Sequence, residues 1–145
     1  MEIFTIGFTK KRAIDFFGLL KKYGIKRLID IRLHNSSQLA GFTRHEDLKF
    51  FLKEICGADY IHEPLLAPTE EMLKKYKNDN SWAEYEQEFA DLLSQRKIEE
   101  KLRKDLFDIP TVLLCSEPTP EHCHRRLVAD YLKDKWDDEI KITHL

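Results

Sequence analysis

Residues 113–126, read as LLCSEPTPEHCHRR, gather two cysteines, two histidines, two glutamates and two arginines into one short stretch that opens as an apolar strand. Three chemistries need such groups. A metal would take Cys115, Glu117, Cys123 and His124 as ligands. Yet no C-x-x-C or H-E-x-x-H spacing is present, and on a helix the adjacent Cys123 and His124 would diverge by about 100°. Zinc is therefore possible but disfavoured, no metal ligand is assigned, and the sequence leaves any cofactor unknown. A reactive thiol is the second chemistry. Cys115 leaves a strand facing a helix amino terminus, whose dipole and free N–H groups favour a thiolate. His124 can share its proton, and Glu117 can orient that group or act as acid or base. Cys115, Glu117 and His124 are thus the catalytic candidates. The phosphatase-like C-x5-R pattern is not met, because Glu121 holds the sixth place after Cys115. Against any thiol chemistry stands simple packing, the usual fate of free cysteines. The third chemistry is anion binding by backbone N–H groups near Thr119–His122, helped by Arg125 and Arg32.

Helical phase sorts the end of this stretch. Leu127, Val128, Tyr131 and Leu132 mark a buried stripe, and His124 falls on its centre. Arg125 lies at the border of the stripe, whereas Arg126 points to solvent beside Asp130 and Lys133. His122 is ambiguous.

The elements that must position these groups alternate. Residues 2–8 read as a strand and 9–24 as a helix with Thr9 as N-cap. Its apolar positions are Ile14, Phe17, Leu20 and Tyr23, and Gly24 is the stop. Residues 26–32 form a second strand, 33–43 a polar loop, 44–57 a helix ended by Gly57, and 59–64 a short third strand. From Thr69 to Phe107 the chain is charged and helical, with breaks near residues 78–81 and Lys97. One apolar face there carries Trp82, Tyr85, Phe89, Leu92 and Leu93. Residues 110–116 are the most apolar strand, of the kind buried on both faces. A helix follows, with Thr119 as N-cap and Pro120 at its first position, and residues 140–144 close the chain as an edge strand.

This order predicts an α/β fold: a single domain over residues 1–145 with a mainly parallel sheet flanked by helices, layered like a Rossmann fold. In such sheets ligands bind outside the carboxyl ends of the strands. Those ends carry Gly7, Phe8 and Thr9; Asp30 and Arg32; His62 and Glu63; and Cys115, Ser116 and Glu117. Gly7, Thr9, Asp30, Arg32, His62, Cys123 and Arg125 are accordingly the candidate ligand-binding residues, with a structural Asp30–Arg32 ion pair at a strand end and a structural His62 as the bland alternatives.

Composition limits the partners. The 145-residue chain has a net charge of −2, so no global positive field draws it to nucleic acid or membrane. No apolar run approaches the roughly 20 residues that span a bilayer. The opening MEIFTIGF has no basic segment before an apolar one, so no secretory leader is expected. The three cysteines, Cys56, Cys115 and Cys123, are not spaced as a disulfide framework, which points to a reducing, cytoplasmic setting. Neither glycine-rich phosphate-loop pattern occurs.

The chain resembles domain-of-unknown-function family 488, small prokaryotic proteins without an established common activity. The most specific element is C-x-E-x5-C-H-R, present as Cys115, Glu117, Cys123, His124 and Arg125. The family's T-I-G-H-S opening stands as Thr5-Ile6-Gly7-Phe8-Thr9, with Phe8 in place of histidine. Its D-x-R stands as Asp30-Ile31-Arg32, and its later proline-leucine-glycine stretch is altered to Pro64-Leu65-Leu66-Ala67-Pro68. The resemblance implies an α/β fold and one shared pocket; it supplies no reaction. Three functions stay open: an enzyme or binding protein for a small anionic, nucleotide-like ligand; a nucleic-acid-associated protein; and a non-catalytic interaction domain braced by the Cys/His motif. Oligomeric state is not encoded in any pattern found.

Overall fold

Five parallel strands form the sheet of the computed structural model, which describes residues 1–36, 41–117 and 119–145. Residues 37–40 of the polar loop, and Pro118 within the chemistry-rich stretch, lie outside the described residues. The strands are β1 (Glu2–Gly7), β2 (Arg27–Asp30), β3 (Asp59–His62), β4 (Thr111–Cys115) and β5 (Lys141–His144), in spatial order β3-β2-β4-β1-β5. The α/β layering read from sequence is the layering found, and the sheet is parallel throughout.

Strand periodicity divides the core in two. Phe4, Ile6, Leu28, Val112 and Leu114 face α1 (Ala13–Lys22) and α2 (His45–Phe51), meeting Phe16, Phe17, Leu20 and Leu48. Ile3, Ile29 and Leu113 face the other way. There they meet α3 (Glu70–Asp79), α4 (Trp82–Gln95), α5 (Ile98–Lys101) and α6 (His124–Trp136) through Phe89, Leu93, Val128 and Leu132. The chain runs from β1 over the first face to β2 and β3, then returns over the second face to β4 and β5. β4 therefore sits between β2 and β1, where the winding changes direction, and all five of its residues are buried. Such a switch point opens a crevice at the carboxyl ends of the strands.

Registers bring those ends level: Gly7 lies opposite Cys115, and Asp30 opposite both Leu114 and His62. By alternation Cys115 points to the same side as Leu113, the side of α6. The two breaks expected in the charged helical region are real. Asn80 and Lys97 take the left-handed conformation, and the Thr69 hydroxyl caps α3 by accepting from the Met72 N–H.

Two helix starts differ from expectation. α1 begins at Ala13 after Arg12, not after Thr9, because Lys10 at φ 64° and a Lys11 N–H to Phe8 carbonyl bond of 3.1 Å make a turn first. Its buried stripe is Phe16, Phe17 and Leu20, while Ile14 is exposed. α6 begins at His124, not at Pro120. A turn closed by the Cys123 N–H on the Pro120 carbonyl (3.3 Å) precedes it, and Cys123 is its extended N-cap at φ −136° and ψ 138°. No described helix is long and apolar enough to cross a membrane.

Candidate functional site

The late start of α6 decides the geometry of the site. With Cys123 in extended backbone and His124 in the first helical place, the two side chains turn toward each other instead of diverging. Cys115, at the end of β4, meets both. Among the described residues the sulfurs of Cys115 and Cys123 and a ring nitrogen of His124 lie within 4.8 Å of one another, and all three residues are buried. These are the side chains that could hold a metal ion; Glu117 is exposed and not among them.

His124 is held from two sides. One nitrogen, Nε2, lies 2.7 Å from the Ile31 carbonyl just past β2. A carbonyl can only accept, so Nε2 carries the proton and donates it. Nδ1 is thereby left facing the Cys115 sulfur, at 3.2 Å. This is a thiol–imidazole pair in which a third group fixes the tautomer. Phe89 packs edge-on against the imidazole, with ring centroids 5.5 Å apart, which holds the ring plane.

Burial alone would push the Cys115 thiol up. A hydrogen bond from the Cys123 thiol, the N–H groups of Ser116 and Glu117, and the charge of Arg125 outweigh that, and the group sits below the ordinary thiol range. Cys123 moves the opposite way, pushed up by its hydrogen bond to Cys115 and by burial. Cys56, remote from the motif, is also pushed up, chiefly by burial.

Arg125 has no solvent exposure. Its Nη1 donates to the Glu117 carbonyl at 2.6 Å, whereas its Nε and Nη2 have no hydrogen-bond partner among the described residues. Gly7 makes room for this arrangement. A Cβ there would stand 1.6 Å from the Glu117 carbonyl oxygen and 2.2 Å from Arg125 Nη1. Arg126, as its phase requires, reaches outward to Asp130 at 3.3 Å. The Thr9 N–H bonds the Ser116 carbonyl at 3.0 Å, tying the exit of β1 to that of β4.

Gly7, Arg32, His62 and Glu117 all lie at the carboxyl end of the one sheet, but their surroundings differ. Asp30 and Arg32 form a closed, buried ion pair with two contacts of 2.8 Å. Tyr60 adds a hydroxyl to Asp30 at 2.6 Å, and Arg32 also donates to the Thr43 carbonyl. The exposed His62 donates to the Arg32 carbonyl at 2.9 Å. These three brace the end of β2, with Arg32 also bordering the cleft.

That cleft measures about 180 Å³ and reaches from Arg32 and His34 past Cys115, Glu117 and His124. Its opposite wall is aromatic: Tyr76, Tyr85, Trp82 and His122, the last stacked on Trp82 at 4.9 Å. Sequence reasoning placed Trp82 and Tyr85 on an apolar helix face and missed that this face walls the site. The Ile31 carbonyl was beyond its reach, since a backbone acceptor has no residue-type signature.

A doubly wound parallel α/β protein with a thiol–imidazole pair at its switch point is the class that fold and geometry define. Residues 12–132 match the family model described as domain of unknown function DUF488, and the chain belongs to that family. No curated protein and no solved structure matches it.

Proposed function

We propose that the cleft beside Cys115 binds a small anionic compound and that Cys115, sharing a proton with His124, is the group that reacts with it. The observation that carries this reading is the 3.2 Å approach of the Cys115 sulfur to His124 Nδ1, with the other ring nitrogen committed to the Ile31 carbonyl. A nucleophilic cysteine needs a base within reach and a third group to orient that base. Preference for an anion is supported by Arg125, a buried cation for which no ion pair is found among the described residues. The Ser116 and Glu117 N–H groups add partial positive charge at the same sulfur. A planar group on the ligand, as in a nucleotide, would extend the Trp82–His122 stack along the aromatic wall. Glu117 borders the cleft, as His34 and His122 do, and can serve a bound ligand as acid or base. A cytoplasmic setting goes with this reading, because the three free cysteines would stay reduced there.

The test compares two alkylating probes of similar size, iodoacetate and iodoacetamide, on reduced, metal-free protein. Cys115 should favour the anionic reagent more than Cys56 does, inorganic phosphate should slow it, and Arg125→Met should abolish the preference. Labelling of Cys115 that begins only in denaturant would overturn the reading.

A further inference from the structure

We infer that Cys115, Cys123 and His124 form a binding site for a soft divalent metal ion such as zinc or cobalt. This goes beyond the function proposed above and stands whether or not Cys115 ever acts as a nucleophile.

Donor chemistry comes first. Two sulfurs and an imidazole nitrogen select zinc-like ions over magnesium or calcium, which want oxygen. Spacing comes next. A tetrahedral ion with bonds of about 2.3 Å to sulfur and about 2.0–2.1 Å to nitrogen spans donor separations of roughly 3.5–3.8 Å. The three donor atoms here fall within 4.8 Å of one another, and the Cys115–His124 pair is at 3.2 Å, so small side-chain rotations bring them around one ion.

The imidazole is already set for this role. A metal-bound histidine almost always donates its other ring N–H to a carbonyl or carboxylate, which fixes its orientation. Here Nε2 donates to the Ile31 carbonyl at 2.7 Å and leaves Nδ1 turned to the sulfurs. The spacing argument against zinc, that Cys123 and His124 diverge, held only for a helix running through both. Cys123 is the extended N-cap, so adjacent residues supply converging ligands.

Three protein donors leave a fourth position, and the cleft borders all three. Two cysteines and a histidine with a fourth position turned to a cleft is a pattern of catalytic rather than purely structural zinc. Metal and free thiolate exclude each other at Cys115, so occupancy selects which chemistry the cleft offers.

The test is a titration of reduced, metal-free, full-length protein with cobalt(II), followed by thiolate-to-cobalt charge-transfer absorption and the visible bands of tetrahedral cobalt. One equivalent should saturate both signals, and stoichiometric zinc should displace them. Cys123→Ser should weaken binding more than tenfold, while Cys56→Ser should leave it unchanged. Because Cys123→Ser can fail to fold, a second measurement uses the parent protein alone: zinc should protect Cys115 and Cys123 from alkylation and leave Cys56 as reactive as before, read by peptide mass mapping. Absence of the charge-transfer band, its survival in folded Cys123→Ser, or protection that spares Cys115 would each overturn the inference. A silent cobalt titration with fast anionic alkylation of Cys115 would sink the metal site and keep the thiol reading; the converse result would do the reverse.

Discussion

Arg125 heads the largest fully buried side chains, yet two of its three guanidinium nitrogens have no hydrogen-bond partner among the described residues. A buried cation held this way is costly, and a fold built only for stability would replace it. Arg125→Met should therefore fold with a stability within about 1 kcal/mol of the parent or above it, while losing the preference for anions. Arg126→Ala, which removes an exposed pair, should change stability by no more than about 0.5 kcal/mol and leave ligand selection intact. Urea unfolding of both variants checks this. A loss of several kcal/mol in Arg125→Met would mark the arginine as a structural strut. The thiols give a second contrast at this scale. A lowered pKa means more thiolate at any given pH, so the alkylation profile of Cys115 in metal-free protein should rise at lower pH than that of Cys56, whose pKa moves up. His124→Ala should slow Cys115 and leave Cys56 alone. Rates for single-cysteine variants across pH, read by mass spectrometry under native conditions, decide it; coincident profiles would falsify the claim that the motif activates its cysteine.

Elements explain why these residues meet. Gly7 ends β1 where the Glu117 carbonyl and Arg125 crowd against its Cα, so the constraint is clearance between neighbouring exits, not turn geometry. Gly7→Ala should cost about 3 kcal/mol, the upper end for overpacking, because the nearest atom belongs to backbone. A shift in urea midpoint measures it, and an unshifted midpoint would mean that the exit of β4 is free to move. The order of strands and helices, the breaks at Asn80 and Lys97, and the burial of His124 against Arg126 were legible because each rests on periodicity or a local stop. The start of α6 was not. Thr119 followed by Pro120 reads as a cap and first turn, yet the Cys123 N–H closes on the Pro120 carbonyl and defers the helix to His124. That shift of a few residues converts Cys123 and His124 from diverging to converging groups. Likewise, Asp30 and Arg32 were legible as a pair, but only the fold shows Tyr60 and the Thr43 carbonyl closing it.

At the scale of the molecule, charge argues about partners. The 24 basic and 26 acidic side chains nearly cancel, and many of the basic ones are neutralised where they stand. Arg12 pairs with Asp15, Arg27 with Asp59, Lys75 with Glu88, Arg103 with Asp105, and Arg126 with Asp130. Nucleic-acid affinity comes mostly from cations free to displace counterions along a phosphate backbone. Cations already held by carboxylates release few of them. The buried Arg125 is screened from a duplex by the protein around it, and its charge is felt at the cleft through Cys115. The chain should therefore bind single- or double-stranded nucleic acid at about 0.15 M salt no more tightly than the usual non-specific range of roughly 10⁻⁴–10⁻⁶ M. Fluorescence anisotropy over a salt series checks this. Submicromolar binding whose log–log salt slope implies four or more phosphate contacts would show that the paired surface opens for a polyanion, and would move the ligand of the cleft from a free small molecule to a base or phosphate within a strand.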